Sequence, residues 1–134
     1  MSVRPLFAYL DTSAFVKAPL GEPHAAVLAA SADEWGMRTS SALMRVEATR
    51  ACAQAGQAAV DAMSNALRRV VLVPVDDLVL DIAAHLGDPG IRSLDAIHLA
   101  TAVSLGDDLG MLFTYEHRMA EAATALGLPV SSPT

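Results

Sequence analysis

Four acidic residues stand at positions suited to chemistry. Asp11 follows directly on the apolar run Leu6-Phe7-Ala8-Tyr9-Leu10, and Glu116 follows Met111-Leu112-Phe113-Thr114 after one intervening residue. Asp95 lies in the first turn of the predicted helix Ser93-Leu94-Asp95-Ala96-Ile97-His98-Leu99-Ala100-Thr101-Ala102-Val103, which is apolar nearly all round and so predicted to be buried. Glu47 stands one turn inside the predicted helix that starts at Ala42, between Val46 and Ala48. Each acid also has an ordinary use. Asp11 suits capping a short helix through Thr12 and Ser13. Glu47 suits an ion pair with Arg50, worth about 0.2–0.5 kcal/mol on an exposed helix face. Glu116 and Asp95 suit the positive end of a helix dipole, typically about 0.3–1 kcal/mol. For Asp95 a cation or an arginine is the stronger remedy, because a carboxylate in a buried helix needs a partner. Two acids after buried strands and one in a buried helix predict convergence at one edge of a sheet. Clustered carboxylates repel one another and raise their pKa values unless a divalent ion neutralises them. A ligand set made only of oxygens points to Mg²⁺ or Mn²⁺.

The neighbours of these acids extend the candidate site. Thr12, Ser13 and Thr114 carry hydroxyls that can orient a carboxylate or a bound water, and equally suit turns and caps. Arg50 and Arg118 lie close in sequence to the acids and are candidate phosphate contacts, whereas Arg45, Arg68 and Arg69 are expected on solvated faces. His98, three residues after Asp95, shares its helix face and reads as a packed histidine before a catalytic one. His24, His85 and His117 lack zinc-site spacing, and the single cysteine, Cys52, has no cysteine partner for a zinc site or an internal disulfide. Cys52 reads as a small core residue on a helix.

Strands and helices alternate along the chain that must position these groups. The run Leu6 to Leu10 predicts a central strand covered on both faces. After Pro19-Leu20-Gly21-Glu22-Pro23, a helix is expected from His24 to about Ser31, then a short strand near Met37 to Thr39. Ser40 or Ser41 offers an N-cap for a helix from Ala42 to Gln54, and Gly56 separates it from a second over Gln57 to Arg69. The strand Val70 to Val73 closes at Pro74. Asp76 or Asp77 caps a helix ending near Leu86, and Gly87, Pro89 and Gly90 punctuate the chain before Ser93. Gly110 is expected just before the strand Met111 to Thr114, and a last helix over Glu116 to Leu126 ends at Gly127 and Pro129. Such alternation implies an α/β fold with a mainly parallel sheet between helices, in which ligands gather beyond the carboxyl ends of the strands.

The length of 134 residues suits one domain, read over residues 1–134. Apolar residues make up 53% and aromatic residues 4%, a balance that favours closely packed helices over a β-sandwich. No apolar stretch approaches the roughly 20 residues of a membrane span, and Met1 to Pro5 leads straight into the first strand, so a soluble cytoplasmic protein is expected. A formal charge of −6 argues against nucleic-acid binding, which usually needs a basic surplus. Bound divalent cations would invert the local charge even so. Eight arginines against one lysine favour bidentate phosphate or carboxylate contacts, or reflect a GC-rich genome.

Over nearly its whole length the chain resembles the PIN-domain family, and within it the VapC-type toxins of bacterial toxin–antitoxin systems. The resemblance rests on Tyr9-Leu10-Asp11-Thr12-Ser13-Ala14, on Glu47 within Ser40-Ser41-Ala42-Leu43-Met44-Arg45-Val46-Glu47, on Arg92-Ser93-Leu94-Asp95-Ala96-Ile97-His98-Leu99-Ala100-Thr101-Ala102, and on Thr114-Tyr115-Glu116, in this order and spacing. It implies a three-layer α/β/α sandwich in which Asp11, Glu47 and Asp95 bind Mg²⁺ or Mn²⁺ and hydrolyse RNA phosphodiesters. The last position of the family pattern is usually aspartate. Here it is Glu116, whose longer side chain would reach a metal directly or through water.

The resemblance further implies an endoribonuclease toxin that inhibits growth or translation, a homodimer, and a cognate antitoxin covering the acidic site. With one or two ions, attack by activated water needs no covalent intermediate. Two alternatives remain: a catalytically weak or silent module that binds RNA or antitoxin, and a nuclease with an RNA-processing role outside toxin–antitoxin systems. A phosphoacceptor signalling domain is excluded because its lysine near the last strands is missing, Lys17 being the only lysine. A haloacid-dehalogenase-like phosphatase would need aspartate where Ser13 stands.

Overall fold

The apolar run ending at Leu10 forms the middle strand of a five-stranded sheet in the computed structural model, which describes residues 6–134. The expected lead-in from Met1 to Pro5 lies outside the described residues. In chain order the elements are β1 (Phe7–Leu10), α1 (Thr12–Phe15), α2 (Ala25–Ala32), β2 (Met37–Ser41), α3 (Met44–Ala53), α4 (Gln57–Leu67), β3 (Val70–Val73), α5 (Asp77–His85), α6 (Ser93–Ser104), a 3₁₀ turn over Gly106–Asp108, β4 (Leu109–Phe113), α7 (His117–Ala125) and β5 (Val130–Ser131). All strand pairs are parallel, in the order β3-β2-β1-β4-β5.

That order reverses direction once. From β1 the chain winds outward through β2 to β3, then crosses back to place β4 on the other side of β1. The crevice between the carboxyl ends of β1 and β4 is therefore the topological switch point, where an open α/β sheet binds ligands. Leu10 pairs with Phe113 at the ends of these strands, so the residues that follow, Asp11 and Thr114, emerge side by side.

Because strand side chains alternate, the central strands β1 and β4 feed two cores. Ala8 and Leu10 pack with Phe15, Leu28, Met44, Cys52 and Met63, from α1 to α4. Tyr9 points the other way, into a cluster with Leu99, Ala102, Met119 and Ala123 from α6 and α7. Helices thus cover both faces, giving the expected three-layer α/β/α sandwich. Cys52 is buried in the first core, as its helical setting predicts. α6 is buried at Ala96 and from His98 to Ala102, but its first turn is not: Leu94 is 50% exposed and Asp95 only partly covered, so the expectation of a wholly buried helix fails there.

Several boundaries differ from the sequence expectation for identifiable reasons. Ser40 and Ser41 do not cap a helix; they extend β2, fully buried, and pair with Leu72 and Val73. Ser41 Oγ instead accepts the Leu43 amide at 3.1 Å, and the helix begins at Met44. His24 stands before α2 as its cap residue, in the left-handed conformation with φ 73°. Asp76 does cap α5, accepting the Val79 amide at 2.9 Å. β5 is an added strand of two residues.

Gly110 lies inside β4 and not before it. Phe7 pairs with Leu109 and Ala8 with Met111, so Gly110 is the extra residue of a bulge. The indole of Trp35 packs directly on it, and a methyl carbon built there would lie 2.3 Å from Trp35 Cε3. Glycine is needed for that close approach. Gly110→Ala is expected to destabilise the fold by about 1–3 kcal/mol, the usual cost of overpacking. Urea unfolding followed by fluorescence of Trp35, the one tryptophan, would show a lower midpoint; an unchanged midpoint would mean that the indole moves aside freely.

Candidate active site

Asp11 leaves β1 as the N-cap of α1 and is 2% exposed. Its Oδ1 accepts the Ala14 amide at 3.0 Å and the Ser13 hydroxyl at 2.7 Å, while Oδ2 accepts the Thr114 hydroxyl at 2.5 Å. The cap expected of Asp11 is therefore present, at the mouth of the β1/β4 crevice. Burial pushes its pKa up, opposed by the hydrogen bonds from Thr114, Ser13 and the Ala14 amide.

The three hydroxyl residues named from sequence all engage the acids. Ser13 Oγ donates to Asp11 and accepts the Tyr115 amide at 2.9 Å, and Thr114 Oγ1 accepts the Glu116 amide at 3.1 Å. Asp11 and the segment before α7 are locked together across the β1/β4 crevice. Thr12 Oγ1 donates to Glu47 Oε1 at 2.7 Å, which draws α3 onto the same crevice.

Glu47 does not pair with Arg50. That arginine is exposed and makes no ion pair among the described residues. Glu47 Oε1 instead meets His98 Nε2 at 2.7 Å. Partial burial raises the Glu47 pKa, but the hydrogen bonds from His98 and Thr12 outweigh it and hold the group below the ordinary range. His98 is itself buried, with Nδ1 2.7 Å from the Tyr9 hydroxyl, which accepts the Ser41 amide at 3.2 Å. Packing and engagement with an acid are thus combined in one histidine.

Asp95 makes no hydrogen bond or ion pair among the described residues. Its charge is nevertheless felt at Glu116, the cap residue of α7, whose side chain makes no capping bond. The Glu116 pKa is raised first by burial, then by Asp95 and Asp11, with Arg92 opposing and Glu47 adding a further rise. All four acids therefore share one electrostatic field. Among the described residues, however, no three His, Cys, Asp or Glu side chains are gathered tightly enough to hold an ion as they stand. The donor chemistry fits a hard divalent cation: every candidate ligand is a carboxylate, and their mutual repulsion at Glu116 is what such a cation offsets.

Arginines reach this region from a direction the sequence only half revealed. Arg118 and Arg92 line a cleft of about 450 Å³ with Asp95, between the first turn of α6 and α7. Arg118 was expected near the acids; Arg92 was not, although it stands three residues before Asp95.

The raised Glu116 pKa has a consequence for stability. Ionising Glu116 costs the folded chain more than the unfolded one, a penalty absent below the ordinary value of 4.5 and growing as pH rises through the folded pKa. Glu116→Gln is therefore expected to raise the melting temperature of the metal-free protein near about pH 7 and to leave it unchanged near about pH 4. Thermal melts at both values test this; equal melting temperatures at the higher pH would place Glu116 outside the shared field.

The PIN domain family model matches residues 8–125. Ribonuclease VapC46 of Mycobacterium tuberculosis (strain ATCC 25618 / H37Rv) is 46% identical over 126 residues, which cover 94% of this chain and 97% of that protein. Ribonuclease VapC35 of the same strain is 39% identical over 132 residues, covering 93% of this chain and 96% of the relative. Ribonuclease VapC47 of M. tuberculosis (strain CDC 1551 / Oshkosh) is 32% identical over 130 residues, with the same two coverages. No helix among the described residues is long and apolar enough to cross a membrane.

Proposed function

The chain belongs to the PIN-domain family, and on that premise we propose that it is a divalent-metal-dependent endoribonuclease, the toxin of a toxin–antitoxin pair acting in the cytoplasm. The observation that carries this reading is the hydrogen-bond network that gathers Asp11, Glu47 and the backbone of Glu116 at the switch point of the sheet, with Asp95 one turn before His98 on α6. Relatives named as ribonucleases, similar over nearly the full chain, support it.

In this reading the four acids hold Mg²⁺ or Mn²⁺, which supplies water activation and neutralises charge on the scissile phosphate. Asp11 is fixed in place by Ser13, Thr114 and the Ala14 amide. Glu47 is fixed by Thr12 and His98. Arg92 and Arg118, lining the cleft beside Asp95, bind the RNA backbone and offset the negative charge of the site. The chain is proposed to act as a single domain and a homodimer, with a cognate antitoxin whose binding blocks access to the acids.

The test is cleavage of total RNA by the purified protein with Mg²⁺, with Mn²⁺ and with chelator, followed by sequencing of the RNA ends produced. Discrete new ends that depend on the metal are expected. Intact RNA under all three conditions would favour a catalytically silent RNA- or antitoxin-binding module.

A further inference from the structure

We infer that His98 is a positioning residue that presents the Glu47 carboxylate to the metal, an inference that rests on the ribonuclease reading above. The observation is an asymmetry at Glu47. Both donors, Thr12 Oγ1 and His98 Nε2, meet the same oxygen, Oε1, each at 2.7 Å. Among the described residues Oε2 accepts no hydrogen bond, and the Glu47 side chain is 24% exposed. One oxygen is clamped and the other is left free to ligate.

The clamp is built from the elements that carry two of the other acids. Thr12 is the residue after Asp11. His98 lies three residues after Asp95 on α6, a spacing that puts both on one helix face. Glu47 is a long side chain on a third helix, and without a clamp its carboxylate would sample several rotamers. Tying Oε1 to both helices fixes its carboxylate relative to Asp11 and Asp95.

His98 is suited to that role because it is buried and bonded at both ring nitrogens. Its side chain is 3% exposed, and the Tyr9 ring meets it edge-on at 83° with centroids 5.9 Å apart. An ionised carboxylate only accepts hydrogen bonds, so Nε2 must carry the proton directed at Glu47. In the neutral ring Nδ1 is then an acceptor, satisfied by the Tyr9 O–H, while the Tyr9 oxygen takes the Ser41 amide. A chain of oriented groups runs from the end of β2 through β1 to the acid. The order of hydrogen bonds selects the tautomer, as it does for histidines that support metal ligands. Packing alone would place no requirement on which ring nitrogen carries hydrogen, nor on Glu47.

Calorimetric titration of Mn²⁺ into the metal-free protein separates the two roles, because a packing role would alter stability and not metal affinity. His98→Leu is expected to weaken Mn²⁺ binding by about 10–100-fold, the usual effect of losing a group that orients a ligand. Cleavage should fall with it and recover in part as Mn²⁺ is raised. His98→Gln, which keeps an N–H donor near the Nε2 position, should restore most of the affinity. Thr12→Val removes the other donor from a half-buried surface position; it should weaken Mn²⁺ binding in the same direction, and serves if His98→Leu does not fold. Folded variants with wild-type Mn²⁺ affinity, in a wild type that binds Mn²⁺ and cleaves RNA, would overturn the positioning role alone. A wild type that neither binds Mn²⁺ nor cleaves RNA would overturn both this role and the ribonuclease reading.

Discussion

Replacing Asp11 by asparagine is expected to lower RNA cleavage by at least about a hundredfold, equivalent to about 2.7 kcal/mol of activation barrier, while leaving the fold intact. Asparagine caps helices as well as aspartate does, and its side-chain oxygen can still accept from Ala14 and Ser13. Its amide can donate to Thr114 Oγ1, which would turn from donor to acceptor. Burial already disfavours the ionised carboxylate, so a neutral replacement loses little or nothing in the metal-free fold. What it loses is a charged oxygen ligand for a hard cation. Asp11→Ala is a different experiment, because it also removes the cap, at about 0.5–2 kcal/mol. Circular dichroism melts beside an RNA-cleavage assay separate the effects. A folded Asp11→Asn variant with wild-type cleavage would remove the proposed site.

Asp95→Asn gives the sharper contrast between structure and function. Asp95 has no hydrogen-bond or ion-pair partner among the described residues, so its replacement should leave stability unchanged or slightly higher. Cleavage should nonetheless fall about tenfold to a hundredfold, or about 1.4–2.7 kcal/mol, with a higher Mn²⁺ requirement. The change also removes the largest charge acting on Glu116, so the penalty attached to Glu116 at neutral pH should shrink. Cleavage titrated against Mn²⁺, with melts of the same variant, measures both. Curves superimposable on wild type would leave Asp95 as a first-turn residue of α6 with a dipole role only.

The parts of the fold legible in sequence are those whose signal is local. The apolar runs Leu6 to Leu10 and Met111 to Thr114 announced buried parallel strands, and the pair Asp76 and Asp77 announced a cap, which Asp76 makes. The misread positions are those where a distant partner decides. Gly110 looks like punctuation until Trp35 lies on it. Ser40 and Ser41 look like caps until β3 pairs with them. β5 is two residues long beside Pro129, too short to carry a period.

The site divides in the same way. Asp11 and Glu116 were legible because strand ends are functional positions, and Asp95 because an acid in an apolar helix needs a reason. The Arg50 pairing, proposed from spacing alone, gave way to His98, which is 51 residues from Glu47 and out of reach of any local pattern. His98 also sits among alanines and leucines that made packing a sufficient explanation. Arg92 was passed over because nothing in its own neighbourhood distinguishes a cleft arginine from a solvated one.

The pairing of β1 with β4 also sets when the site can be completed as the chain is made. Thr114, which holds Asp11, is made 103 residues after it. Until β4 is synthesised, β1 lacks one neighbour and one of the two hydroxyls that fix Asp11 does not exist. A nascent chain therefore carries an unfinished site until β4 follows. The interval between synthesis of β1 and closure of the crevice is one in which Asp11 is held by its own turn alone, through Ser13 and the Ala14 amide.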